Sequence, residues 1–155
     1  MDELNKTMMK KYPIEDMKET PFYFPKDPES VLRQLLFMLE ALLDKGYTLS
    51  VICPNDFVFR DKVLFLKKDR HLVELKDGHF KYTKKEDKCF APAHLKEGNQ
   101  GLDKTYASVG LFAFYLWTRK KKTELSDSDY GALKGTKVYY FIRNALEKEP
   151  ILLYL

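Results

Sequence analysis

The fold depends first on residues 104–118, which read KTYASVGLFAFYLWT. Apolar side chains surround this segment at helical spacing, and it contains no proline. A helix that is apolar around nearly its whole circumference must be buried on all sides. Its most apolar part, Ala107 to Trp117, is about half of the ~20 residues that a membrane span needs. We therefore predict a central core helix and no membrane anchor.

Amphipathic segments on either side of this helix are also expected to be helical. Residues 28–45 carry leucines at helical spacing, Asp27 can cap their first turn, and Gly46 stands where a helix would stop. Residues 136–149 show the same pattern. Ser126 offers N-cap chemistry for a short helix that precedes them.

Between residues 47 and 82 the pattern changes to short runs that are rich in β-branched and aromatic residues. The runs are Phe57–Phe59, Val63–Leu66, Leu72–Leu75 and Phe80–Tyr82. Asp77-Gly78 predicts a hairpin turn between the last two runs. The sequence therefore predicts an α+β fold that is mainly α-helical and contains short β-hairpins.

The first 28 residues differ from the rest because they are polar and contain four prolines. The segment Asp2–Lys11 has a helix-like pattern, but proline disfavours helix in the residue before it. We predict that residues 1–28 form an extended N-terminal arm. The adjacent aromatics Phe22, Tyr23 and Phe24 either hold this arm against the domain or present a partner-binding surface.

The composition is that of one globular domain, which we expect to span residues 29–155. The chain has 155 residues, of which 45% are hydrophobic and 14% aromatic, so it can bury a sizeable core. The net charge of +4 is modest and does not by itself favour nucleic acid as a partner. The basic run Arg119, Lys120, Lys121 and Lys122 could contact phosphates of nucleic acid or lipid. The alternative is a solvated run at the negative end of a helix dipole.

Cys53 and Cys89 are the two cysteines, and they do not form a Cys-x-x-Cys pair. This spacing predicts no disulfide framework and a cytoplasmic or other reducing compartment, with Cys89 packed as a small apolar side chain. With His71, His79 and His94 they could in principle form a zinc site, but the spacing matches no zinc template. A nucleophile pair of Cys89 with His79 or His94 is equally unsupported. We therefore expect no metal and no cofactor.

Read in order, five segments resemble the large, C-terminal lobe of the eukaryotic-type protein kinases. Residues 35–46 are similar to the helix before the catalytic loop, and residues 47–59 to that loop and its following strand. Residues 90–93, Phe-Ala-Pro-Ala, resemble the Ala-Pro-Glu that ends an activation segment. Residues 106–116, with Ser-Val-Gly for the usual Ser-Leu-Gly, resemble the buried central helix. Residues 139–155 resemble the closing helix and its Asp-Pro loop.

The resemblance implies a kinase C-lobe-like domain with no ATP-binding N-lobe. The sequence has no glycine before Gly46, hence no glycine-rich phosphate loop, and residues 1–28 are too few for a five-stranded nucleotide lobe. In a kinase the small lobe covers part of the large one. Its loss should expose apolar surface unless the N-terminal arm or a partner covers it. A protein partner is therefore expected, while the oligomeric state stays open.

When the catalytic motif of the family is aligned with this sequence, the catalytic positions hold side chains that cannot perform the same chemistry. Pro54 matches the proline of Asp-x-Lys-Pro-x-Asn, which places the catalytic Asp on Val51, the Lys on Cys53 and the metal-binding Asn on Asp56. Ala93 replaces the glutamate of Ala-Pro-Glu. Phosphoryl transfer needs a residue that orients the hydroxyl, a lysine on the phosphates and ligands for magnesium. Only Asp56 could still hold a cation, so the resemblance implies a catalytically inactive pseudokinase.

We therefore expect a kinase-like interaction or scaffold protein that is not an enzyme. Reduced kinase relatives of this kind resemble those carried by some large DNA viruses, which implies a viral, virion-associated role as one variant. A first alternative is a minimal phosphotransferase that uses Asp56 with Asp69 or Asp77 on a nucleotide supplied by a partner. Asp69-Arg70-His71 lies where the spacing from Asp56 would place the Asp-Phe-Gly of the family. A second alternative is a nucleic-acid-binding accessory protein that acts through residues 119–122.

Overall fold

The computed structural model describes residues 2–84 and 89–147. The helices are α1 (Asp2–Lys11), α2 (Pro28–Leu43), α3 (Asp103–Thr118), α4 (Asp127–Gly131) and α5 (Lys137–Leu146). The strands are β1 (Glu19–Pro21), β2 (Tyr47–Leu49), β3 (Phe57–Arg60), β4 (Val63–Leu66), β5 (Leu72–Glu74), β6 (His79–Tyr82) and β7 (Gly98–Gly101). A 3-10 turn spans Pro54–Asp56.

Helix α3 lies at the centre of the core, as its apolar sequence predicts. Ten of its 16 residues are buried. It lies unusually close to α5 because Gly110 has no side chain. A Cβ atom added at Gly110 would lie 2.9 Å from the Cβ of Ala145 and 3.2 Å from the Cγ of Leu146. The first distance is shorter than real Cβ contacts, so the spacing of the two helices requires glycine here.

Helix α2 begins and ends where its sequence predicts. The Asp27 carboxylate accepts a hydrogen bond from the backbone N–H of Ser30 at 3.2 Å, which satisfies a free donor of the first turn. After the last turn Gly46 has a φ of +82°, in the left-handed region that favours glycine. On the buried face the side-chain oxygen of Gln34 accepts from the N–H of Leu64 at 2.6 Å, so α2 also holds the start of β4.

The strands form three small antiparallel sheets with the orders β1–β3–β4, β2–β5 and β6–β7. The turn predicted at Asp77-Gly78 is present, and both residues have positive φ, 53° and 76°. The two strands beside it do not form the predicted hairpin, however. Antiparallel pairing across the turn is limited to the bridge between Lys76 and His79, whose backbone N–H groups each donate to the carbonyl of the other, at 2.8 and 3.0 Å. Strand β5 pairs with β2 and β6 pairs with β7, so the pairing prediction is wrong although the turn prediction is correct.

The N-terminal segment covers the β3–β4 hairpin. Residues 2–11 of the segment predicted as an extended arm are the helix α1, which buries Leu4 and Met8 against α2 and β4. The side-chain amide of Asn5 pairs with the backbone of Leu66 as a neighbouring strand would. Its Nδ2 donates to the carbonyl at 3.0 Å, and its Oδ1 accepts from the N–H at 3.3 Å. On the other side of the hairpin β1 pairs with β3.

The predicted fold class is confirmed: the described residues form an α+β domain with more helix than strand and short antiparallel pairs. The core runs from α1 and α2 through the β3–β4 hairpin to α3 and α5. Within residues 2–84 and 89–147 there is no helix with the length and apolar character that a membrane crossing requires.

Candidate functional site

A buried carboxylate lies at the end of the 3-10 turn, just before β3. The backbone of Asp56 is held on both sides: its N–H donates to the carbonyl of Cys53 at 2.9 Å. Its carbonyl accepts from the N–H groups of Lys67 and Lys68 at 2.8 and 3.1 Å. The side chain of Asp56 is only 3% exposed. A buried charge of this kind is tolerated only when it is paired and hydrogen-bonded.

Two basic side chains bind the two oxygens of this carboxylate. The Nε of Arg70 donates to Oδ1 of Asp56 at 2.6 Å, and the Nδ1 of His71 lies 2.7 Å from Oδ2. Because an ionised carboxylate can only accept, the Nδ1 of His71 carries the hydrogen of this bond. His71 is as buried as Asp56, whereas Arg70 is partly exposed. Each side-chain oxygen of Asp56 therefore accepts one hydrogen bond, Oδ1 from Arg70 and Oδ2 from His71.

The two cysteines lie against this group and are joined as a disulfide, with their Cα atoms 4.2 Å apart. The prediction of no disulfide is wrong, and the pair gives no support to the predicted reducing compartment. Cys89 is nevertheless buried in an apolar cluster with Val51, Phe80 and Tyr82. They lie 36 residues apart in sequence and become neighbours only through the fold. The Nη2 of Arg70 lies 3.3 Å from the sulfur of Cys53, and the Nε2 of His71 lies 3.8 Å from the sulfur of Cys89. We call Cys53, Asp56, Arg70, His71 and Cys89 the sulfur–carboxylate cluster.

Helix α3 holds the two cysteine-bearing segments together through one hydroxyl. The Oγ of Ser108 accepts from the N–H of Ile52 at 2.8 Å and donates to the carbonyl of Phe90 at 2.5 Å. The N–H of Phe90 in turn donates to the carbonyl of Ile52 at 2.9 Å. Each of these two residues is the chain neighbour of a cysteine, so Ser108 fixes the position of Cys53 relative to Cys89.

The other two positions assigned by the kinase resemblance, Val51 and Ala93, make no hydrogen bond or ion pair with the carboxylate of Asp56 among the described contacts. Val51 is buried in a small apolar cluster with Phe80 and Tyr82 beside the disulfide. Ala93 is exposed, and its N–H donates to the carbonyl of Thr123 at 3.1 Å. Residues 148–155, which include the segment that resembles the Asp-Pro loop, lie outside the described residues.

The three aromatics of the N-terminal segment contact the core. The Phe22 ring lies 5.5 Å from that of Phe59, and the Phe24 ring 4.8 Å from that of Tyr115. Tyr23 packs one edge on Phe59, at 4.6 Å between ring centroids, yet stays 46% exposed. It lines a cleft of about 380 Å³ between the N-terminal segment, the start of α2 and the β3–β4 turn.

The basic run after α3 is largely engaged with neighbouring side chains. The guanidinium of Arg119 lies 4.8 Å from the ring centre of Phe24, and the Nζ of Lys121 lies 5.4 Å from that of Phe90. The Nζ of Lys122 lies 3.5 Å from the carboxylate of Asp129. Lys120 is exposed. The run therefore ties α3 to the N-terminal segment and to α4.

The zinc site considered from the sequence is not assembled. His79 and His94 are exposed, and of the three histidines it is His71 that lies beside the cysteines. In residues 2–84 and 89–147 no group of three or more His, Cys, Asp and Glu side chains is arranged to hold a metal ion. Sequence reasoning missed the partnership of His71 with Cys89. The available signal was the spacing of Asp69-Arg70-His71 from Asp56, which placed this tripeptide beside the catalytic-loop equivalent.

Comparison with known proteins finds similarity of fold to a solved structure. No protein-family model and no curated protein matches the sequence. A rhoptry kinase from Toxoplasma gondii has a similar fold in its crystal structure, with a TM-score of 0.48 and 19% sequence identity over 77% of this chain. The match covers 39% of the kinase chain, so this chain spans about two fifths of that kinase. The similarity concerns the fold alone.

Proposed function

We propose that this chain is a kinase-like interaction module that transfers no phosphoryl group and acts by binding a protein partner. The claim that no phosphoryl group is transferred rests on the hydrogen bonding of Asp56. It is the one residue of the catalytic-loop equivalent that could have held a cation, and both of its oxygens are already bound by Arg70 and His71.

A magnesium ion at Asp56 would have to displace two close partners inside the protein. The ion would compensate the carboxylate, but it would place two further positive charges beside the guanidinium of Arg70. It would also leave the buried Nδ1–H of His71 without its acceptor, which costs about 1–3 kcal/mol for a buried donor. The neighbouring positions offer no help to a phosphate. Val51 is apolar and buried, and Cys53 is bonded to Cys89 where the family has a lysine. The geometry therefore favours a protein that does not bind magnesium nucleotide in the manner of a kinase.

A thermal-shift titration with ATP and Mg²⁺ tests this half directly. A ligand present at 100 times its Kd stabilises the folded state by ~2.7 kcal/mol, which a melting curve detects easily. We expect no saturable shift with ATP and Mg²⁺, with ATP alone or with Mg²⁺ alone. A saturable shift that disappears in Asp56→Ala would show that the carboxylate does bind a cation, and would refute the proposal.

The second half of the proposal is a partner surface around the cleft lined by Tyr23. The N-terminal segment covers the β3–β4 hairpin through α1 and β1. Met17 and Tyr23 of this segment are nevertheless exposed large apolar residues. The cleft beside Tyr23 also contains Pro25, Phe59 and Val31, so a partner could bury an apolar side chain there.

Capture from the native source with the wild-type chain and with two variants tests this surface. Tyr23→Ala removes an exposed ring from the cleft, and we expect it to weaken retention of the partner by tenfold or more, since buried aromatic anchors contribute about 2 kcal/mol. Tyr140→Ala is the matched control, because Tyr140 is 71% exposed on α5 and does not line this cleft. Equal loss in both variants, or in neither, would count against the cleft as the binding surface.

The two alternative functions make different predictions. A phosphotransferase that works on a nucleotide supplied by a partner would show transfer only when that partner is added, and Asp56→Ala would abolish it. A nucleic-acid-binding role through residues 119–122 would show salt-dependent retention on DNA or RNA that neutralising these residues weakens. The engagement of this run with Phe24, Phe90 and Asp129 makes it less suited to phosphate. A viral, virion-associated role stays a prediction from the resemblance.

A further inference from the structure

We propose that Cys53 and Cys89 form a reversible redox pair, in which Cys89 exchanges with a low-molecular-weight disulfide such as oxidised glutathione and Cys53 resolves the product. The inference rests on the sulfur–carboxylate cluster and not on the absence of kinase activity. The two can fail separately, because one is measured with nucleotide and the other with thiol reagents.

The first observation is that a histidine and an aspartate are aligned on the sulfur of Cys89. The Nδ1–H of His71 donates to Asp56 at 2.7 Å, so the basic nitrogen of the ring is Nε2, and it lies 3.8 Å from the Cys89 sulfur. A sulfur, an imidazole and a carboxylate in this order form the arrangement in which a histidine activates a nucleophile and the carboxylate stabilises the imidazolium that results. In the reduced protein, His71 can therefore take the proton of the Cys89 thiol.

The second observation is a cation beside the other sulfur. The Nη2 of Arg70 lies 3.3 Å from Cys53, and Asp56 holds the guanidinium in place through its Nε at 2.6 Å. A neighbouring guanidinium favours the thiolate form of a cysteine. Each sulfur of the pair thus has its own polar neighbour, one that can move a proton and one that can stabilise a negative charge. A disulfide that only cross-links two segments needs neither.

The third observation assigns the order of events. Cys89 is 9% exposed and Cys53 is 1% exposed, so an external disulfide can reach Cys89 before it can reach Cys53. Cys89 is therefore the sulfur that reacts with the external reagent. Cys53 is the buried resolving cysteine, held in reach by the hydrogen bonds of Ser108 to the neighbouring residues Ile52 and Phe90.

The oxidation step then balances as two thiol–disulfide exchanges. His71 takes the proton of Cys89, and the thiolate attacks one sulfur of oxidised glutathione. A bond forms between Cys89 and that sulfur, and the glutathione S–S bond breaks and releases a thiolate that receives the proton. The Cys53 thiol next loses its proton and attacks the Cys89 sulfur. The protein disulfide forms, the mixed disulfide bond breaks, and the second glutathione leaves as a thiolate that receives the Cys53 proton. Two protein thiols are oxidised and one glutathione disulfide is reduced to two thiols; a reducing dithiol drives the reverse.

Single-cysteine variants of the full chain test the order of events. The reduced proteins are mixed with oxidised glutathione, quenched with acid at intervals and weighed by intact mass spectrometry. Cys53→Ser should gain one glutathione on Cys89. Cys89→Ser should gain it at least about tenfold more slowly, because Cys53 is the more deeply buried sulfur and its polar neighbour Arg70 is not a base. Equal rates, a faster reaction at Cys53 or no adduct on either variant would mean a purely structural disulfide and would overturn the proposal.

Substitutions beside the sulfurs test the two polar neighbours through different steps. His71→Gln should slow capture of glutathione by Cys89 about tenfold or more, whereas the control His79→Gln, at an exposed histidine, should not. Arg70→Gln should slow resolution about tenfold and capture much less, although Arg70 shares the Asp56 carboxylate with His71, so that the glutathione adduct of the two-cysteine protein accumulates. Arg70→Lys keeps the charge and should restore resolution in part.

This separation of steps distinguishes chemistry from packing. A buried ion network with no redox role would lose stability in both variants and slow both exchange steps alike, and that result would contradict the proposal. If His71→Gln does not fold, the proposal is still tested by two results. These are the contrast between Arg70→Gln and Arg70→Lys, and the relative rates of the two single-cysteine variants.

Discussion

The hydroxyl of Ser108 offers the sharpest test of how the core holds the sulfur–carboxylate cluster. Ser108→Ala removes the acceptor of the Ile52 N–H and the donor to the Phe90 carbonyl, at 2.8 and 2.5 Å, in a fully buried position. Each of the two buried backbone groups left without a partner costs about 1–3 kcal/mol, so we expect a loss of about 2–6 kcal/mol in the free energy of unfolding. That is a large fraction of the total free energy of unfolding of a domain, which is typically about 5–15 kcal/mol.

Urea denaturation followed by circular dichroism measures this loss, with the disulfide kept intact in both proteins so that the unfolded states are comparable. Ser128→Ala is the matched control, because Ser128 is exposed on α4 and an exposed substitution of this kind usually changes stability by less than ~0.5 kcal/mol. A loss below about 1 kcal/mol for Ser108→Ala, with an unchanged denaturant slope, would show that the two backbone groups find other partners. The role assigned to the hydroxyl would then be refuted.

Three further substitutions test other parts of the fold. Gly110→Ala places a methyl group against α5, and we expect a loss of about 1–3 kcal/mol in the same denaturation assay; an unchanged midpoint would mean that the helices can move apart freely. Asn5→Ala removes both hydrogen bonds to the backbone of Leu66 and should lower the melting temperature, whereas a neutral result would show that α1 is held by Leu4 and Met8 alone. The backbone N–H of Ser126 lowers the pKa of Asp129, so this carboxylate stabilises the fold above the ordinary pKa of an aspartate and loses that effect as the pH falls through its lowered value. Asp129→Asn should therefore flatten the acid side of the stability profile, and an identical profile in both proteins would contradict the assignment.

Segments whose structure depends on neighbouring residues were predictable from the sequence. The period of the leucines in α2 and the cap at Asp27 are local, and the structure places both where expected. The same is true of the turn at Asp77-Gly78, because positive φ at two adjacent residues is a property of Asp and Gly themselves. The pairing of the strands beside that turn was not predictable, since it depends on which free strand edge the fold brings near.

The residues of the candidate site were likewise predictable only in part, because their contacts are between segments far apart in the chain. The kinase resemblance drew attention to Cys53 and Asp56, and their roles as degenerate positions stay predictions. The spacing of Asp69-Arg70-His71 from Asp56 placed this tripeptide near the catalytic-loop equivalent, but nothing in the spacing of Cys53 and Cys89 indicates that they are in contact.

By itself, the amino-acid sequence determined the helices α2, α3 and α5, the four strands β3 to β6 and the buried character of the centre, because hydrophobic periodicity and capping act over a few residues. It did not indicate the strands β1, β2 and β7. Only the tertiary structure decided that a disulfide, a histidine and a carboxylate share one buried site. That site forms when α3, through Ser108, brings together two segments that are far apart in the chain. Contacts of this kind depend on the packing of the whole domain, which no local pattern records.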